Sequence, residues 1–82
     1  MDVETIVGDE VLKQAKASGG SFAGALRQET PLPATGLDSL GFTTMVIDLE
    51  RRLGVDPFGG DGDIVYPETF GELVALYRAA LS

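Results

Sequence analysis

Only packed apolar side chains can hold this chain together, because its 82 residues include no cysteine. Neither a disulfide framework nor a thiolate metal site can stand in for a core in so short a chain. At this length the residues 1–82 form a single domain, and helix against helix is the most accessible way to bury enough surface. The apolar residues, 44% of the total, are spaced accordingly. From Val3 to Ala17, the residues Val3, Val7, Val11 and Ala15 recur every four positions with Ile6 beside them. That spacing predicts one helical face, weakened locally by Gly8 and ended by Ser18-Gly19-Gly20. Phe22, Ala25 and Leu26 suggest a further turn or two of helix before Gln28.

Thr30 to Gly36 contains Pro31 and Pro33, each of which biases its predecessor toward extended geometry. It reads as an ordered loop leading to Leu37-Asp38-Ser39. The strongest helical pattern follows, from about Ser39 to Leu53, stopped by Gly54 and then Pro57. Asp56 to Pro67 is a second loop, loosened by Gly59-Gly60-Asp61-Gly62-Asp63, in which Ile64-Val65-Tyr66 suggests one short turn closing over the core. Thr69-Phe70-Gly71-Glu72 has the form of a capping box. The helix it opens is expected to bury Phe70, Leu73, Val74, Tyr77 and Leu81. The expected fold is all-α, a small bundle of three principal helices plus one or two short helical turns.

Charge and composition exclude several kinds of function. Thirteen acidic against six basic side chains give a net charge of −7. This argues against nucleic acid and anionic membrane surfaces, both of which need a basic footprint. Basic patches on larger partner proteins suit it better. The chain has no histidine and no cysteine, so the usual general base and the most reactive nucleophile are missing; an enzyme acting alone is not expected, and no residue is assigned a catalytic role. No stretch has the length of a membrane span and Met1 to Gly20 lacks a secretory pattern, so the expectation is a cytoplasmic monomer. A calcium loop at Asp61-Gly62-Asp63 is a poor fit, since Val65 interrupts the alternating oxygen ligands after two positions.

On the helix after Ser39, Phe42, Met45, Val46, Leu49 and Leu53 fall within about 100° of one another and form the core stripe. Leu40, Thr44, Ile47 and Arg51 lie opposite, flanked by Asp48 and Glu50. Two large aliphatics on one line of the solvent face suggest a strip that a partner covers; alternatively Leu40 packs under the preceding loop and Ile47 is tolerated. Ser39 itself stands at the first turn, where free backbone N–H groups and the helix dipole favour a phosphate. Ser39 or Asp38 can equally be a plain helix cap.

Gly36-Leu37-Asp38-Ser39-Leu40, followed by Gly41-Phe42, resembles the phosphopantetheine attachment motif of acyl carrier proteins. The likeness is clearest from Glu29 to Pro57 and weakest before residue 20. It implies that Ser39 takes a 4′-phosphopantetheine arm from coenzyme A, whose thiol then carries acyl groups as thioesters. It also implies that Asp38 and Leu40 are first contacts for the phosphopantetheinyl transferase. The helix from Ser39 would then be the recognition helix for acyltransferase, ketosynthase or ligase partners, with Leu40, Thr44, Ile47, Asp48, Glu50 and Arg51 as its contact residues. Leu37 in place of a second glycine favours an acyl over an aminoacyl or peptidyl carrier. Thr44, Arg51 and Arg52 dilute the acidity usual in fatty acid synthesis carriers. With the glycine-rich loop, this points to a dedicated, free-standing carrier of polyketide or other natural-product assembly. The competing expectation is an unmodified helical adaptor that uses Leu40 and Ile47 as its contact face.

Overall fold

The computed structural model describes residues 2–20, 22, 24–59 and 66–82. Three helices carry the fold: α1 (Val3–Ala17), α2 (Ser39–Leu53) and α3 (Phe70–Leu81), with a 3-10 turn at Leu32–Thr35 before α2. It is the small all-helical bundle that the spacing predicts, and no described residue belongs to a strand. Asp2 caps α1, and Thr69 and Glu72 form the expected capping box of α3. Gly54 ends α2 in the left-handed conformation. No described helix is long and apolar enough to cross a membrane.

The core is assembled from one stripe of each helix. Val7 and Val11 of α1, Met45 and Leu49 of α2, and Phe70, Leu73, Val74 and Tyr77 of α3 are buried, with Leu32 of the 3-10 turn closing one end. Each large aliphatic among them stabilises the fold by roughly 1.5–3 kcal/mol. Val3, Ile6, Phe42, Val46 and Leu53 pack half-buried around this centre. Gly8 lies where Phe70 and Leu26 pack on α1; a Cβ there would stand 3.3 Å from the Phe70 ring.

Several expectations fail, each for a local reason. Phe22, Ala25 and Leu26 form no helix, because Gly24 turns the chain at φ +137° and residues 25–27 run irregularly toward Gln28. Leu26 nevertheless packs on the core. Leu81 is exposed, as are all residues of 78–82, because α3 runs past the core after Tyr77. The Thr30–Gly36 loop is ordered as expected and includes a 3-10 turn, held by a 2.6 Å bond in which the buried Thr35 hydroxyl donates to the Leu32 carbonyl. The turn suggested at Ile64-Val65-Tyr66, and the calcium alternative at Asp61-Gly62-Asp63, fall on residues 60–65, outside those described.

The face between α1 and α2 is part polar, which apolar spacing does not predict. Glu10 is almost fully buried; its Oε1 accepts from Arg52 at 3.2 Å while its Oε2 has no partner among the described residues. Gln14 donates to Asp48 Oδ2 at 3.3 Å, and Lys13 stands 3.9 Å from the same oxygen. These pairs fix how far α1 slides along α2, since removing either partner of a buried charge is costly.

One contact sets the distance between the end of α1 and the start of α2. Gly36 adopts φ +91°, and a Cβ on it would lie 2.7 Å from the Gly20 Cα. Gly19 has a similar φ of +89° but open space around it. Gly19→Ala should therefore cost about 1 kcal/mol of left-handed strain. Gly36→Ala should cost clearly more, because the strain is joined by a backbone clash. Urea unfolding of both variants checks this, and equal losses would show that the Gly20–Gly36 approach carries no weight.

Candidate functional site

Asp38, not Ser39, caps α2. Its Oδ1 accepts the Gly41 N–H at 2.7 Å and the Ser18 hydroxyl at 3.1 Å. The Phe42 N–H goes to the Asp38 carbonyl at 2.8 Å. The Ser39 hydroxyl and the Ser39 and Leu40 amides join none of the hydrogen bonds found among the described residues. Ser39 is thus an exposed hydroxyl at the positive end of a helix, beside two free amides. The two bonds to Asp38, that from Gly41 first, hold its carboxyl below the usual carboxylate range.

A groove of about 420 Å³ opens beside Ser39. Phe42, Val46 and Ile47 of α2 form one wall, and Asp56, Phe58 and Tyr66 of the following connection form the other. Phe42 sits between Phe58 and Tyr66 in edge contacts, with ring centroids 5.5 and 5.7 Å away. A smaller depression of about 180 Å³ on the other side of Ser39 is lined by Leu32, Pro33, Leu37 and Pro67 and shares Phe42 and Tyr66. Tyr66 also borders a third, shallow hollow along α3 with Glu68, Glu72, Ala75 and Leu76. Among the described residues, every charged side chain lining these three hollows, Asp38, Asp56, Glu68 and Glu72, is acidic. Beneath Phe58, the buried Tyr77 hydroxyl has no partner among the described residues; burial first, then Asp56 and Glu50, push its ionisation upward, so it stays protonated.

The residues read from the sequence as a partner face divide into three groups. Leu40 is 75% exposed and Ile47 47%, and Glu50 and Arg51 are exposed. Thr44 is half-buried, with its hydroxyl returned to the Leu40 carbonyl at 3.0 Å. Asp48 turns to α1, where Gln14 and Lys13 engage it, and Arg52 is likewise held by Glu10. Tyr66 packs edge-on against Phe42; Ile64 and Val65 lie outside the described residues. Phe58 and Ser18 were not legible as site residues. A phenylalanine set between Pro57 and Gly59 was the available signal for the first; no local signal marks the second.

Comparisons with protein-family models, curated proteins and solved structures find no match to this chain.

The depressed carboxyl of Asp38 gives a pH-dependent term of known sign. A group whose folded pKa lies below its unfolded value near 3.8 adds stability above that value, and loses it as pH falls through the folded pKa. Asp38→Asn keeps an acceptor for Gly41 without the titration. The Tm advantage of wild type over this variant should shrink on acidification from about pH 5 to about pH 3. A gap that stays constant over that range would contradict the cap assignment.

Proposed function

We propose that this protein is an acyl carrier, holding acyl intermediates on a 4′-phosphopantetheine arm attached to Ser39 and presenting them to partner enzymes. The observation that carries this reading is the Ser39 hydroxyl itself: exposed, free of hydrogen bonds, at a helix start capped by its neighbour Asp38, and opening onto an apolar groove. The sequence around it, Leu37-Asp38-Ser39-Leu40, has the carrier form. The residues present fit a phosphodiester at this position, since the Ser39 and Leu40 amides face the charge that it would bring. When bound, the arm supplies the thiol that carries cargo; this chain supplies its attachment point and a docking surface.

In loading, the Ser39 oxygen forms the new bond to the phosphorus that bears pantetheine. Adenosine 3′,5′-bisphosphate leaves from coenzyme A, and the hydroxyl proton passes to a base of the transferase. No histidine or cysteine of this chain is needed for the step. Leu40 and Ile47 offer apolar contacts to partners, and the acidic lining around Tyr66 suits a surface rich in lysine and arginine. Asp48 and Arg52 are engaged with α1, so the free face of α2 offers partners Glu50 and Arg51 as its charges. That pattern fits a dedicated carrier of polyketide or other natural-product assembly.

Intact-protein mass spectrometry after incubation with a promiscuous phosphopantetheinyl transferase and coenzyme A tests the reading. Wild type should gain one phosphopantetheine and Ser39→Ala none, with unchanged far-ultraviolet circular dichroism. No gain by wild type, with a control carrier loaded in parallel, would overturn the carrier reading and place first an adaptor that uses the Leu40–Ile47 face. On the loaded protein, Ile47→Asp should leave the unfolding free energy within about 0.5 kcal/mol of wild type. The same variant should slow acyl transfer to partner enzymes, and unchanged transfer rates would remove Ile47 from the docking face.

A further inference from the structure

We infer that Ser18, twenty positions before the attachment motif, is a positioning residue for it: its hydroxyl fixes the Asp38 carboxylate so that one oxygen faces outward beside Ser39 for the loading enzyme. This rests on the carrier reading. Ser18 is the C-cap of α1, and its Oγ donates to Asp38 Oδ1 at 3.1 Å. The Gly41 N–H reaches the same oxygen at 2.7 Å. Two donors from two different helices thus converge on Oδ1, while Oδ2 accepts no hydrogen bond among the described residues. Oδ2 is left as a free anionic acceptor, matched to a lysine, arginine or N–H donor of the transferase.

One donor alone does not fix a carboxylate, because its terminal torsion is broad and two-fold. The Gly41 bond can be kept while the group swings; the second bond removes that freedom. The space for it exists only because Gly41 has no side chain, since a Cβ there would stand 2.9 Å from Ser18 Oγ and 3.1 Å from Asp38 Oδ1. The Ser18 bond is also the second contributor, after Gly41, to the depressed ionisation of Asp38. Ser18 makes no contribution of this kind to α1, whose C-terminal bond uses its backbone N–H to the Gln14 carbonyl.

Steady-state loading kinetics on the full chain test the inference, with wild type, Ser18→Ala and Ser18→Thr as acceptors and coenzyme A saturating. Loss of one hydrogen bond to a charged group predicts a KM for the carrier raised about fivefold in Ser18→Ala, with kcat unchanged and a small fall in Tm that Ser18→Thr restores. Ser18→Thr, which keeps the hydroxyl, should restore KM. In an Asp38→Ala background Ser18→Ala should have no further effect, because Ser18 acts through Asp38. A wild type that loads, with Ser18→Ala indistinguishable from it, overturns the inference and leaves the carrier reading standing. A fall in Tm and kcat that threonine does not restore assigns Ser18 a structural role instead, and also overturns it. A wild type that gains nothing overturns both.

Discussion

The chain leaving α1 and the chain entering α2 touch backbone to backbone at Gly20 and Gly36, where neither residue has a side chain to hold them apart. That approach brings Ser18 within hydrogen-bonding distance of Asp38, a residue twenty positions further on. It also places the Leu32 side chain under the core, so that the 3-10 turn is anchored before α2 begins. The position of Ser39 follows from these contacts. It is the first residue after a cap whose carboxylate is held from two sides, on a helix whose opposite stripe is buried against α1 and α3.

Where apolar spacing decides the structure, the sequence is sufficient. Val7 and Val11, Met45 and Leu49, and Leu73 and Tyr77 lie where a period of about 3.6 puts them, and glycines and caps end the helices where local chemistry predicts. It fails where a partner distant in the chain decides. Glu10 and Gln14 look like solvent-facing residues of α1 until Arg52 and Asp48 are brought opposite them. Phe22, Ala25 and Leu26 carry helical spacing, but Gly24 and the path required to reach the 3-10 turn override it. Leu81 has the right period on a helix that has already left the core. At the candidate site, Asp38-Ser39-Leu40 is legible because capping is local, whereas Ser18 is not, because nothing in the intervening sequence announces the approach.

The charges of α2 illustrate the same division and bear on function. Read along the sequence, Asp48, Glu50, Arg51 and Arg52 form one mixed patch. In the structure Asp48 and Arg52 belong to the α1 interface, Glu50 and Arg51 stay exposed on α2, and further acidic side chains stand at Asp56 and at Glu68 before α3. Tyr66 stands where these hollows meet, 63% exposed and in edge contact with Phe42.

On the carrier reading Ser39 is a preformed attachment point, modified without rearrangement of the bundle. Amide chemical shifts recorded by two-dimensional NMR before and after loading test it most directly. Changes should be confined to 38–43 and to the groove residues Val46, Ile47 and Phe58, with Val7, Leu49, Leu73 and Tyr77 unmoved. Changes spread through those core amides would mean that attachment requires the start of α2 to refold, and would contradict it.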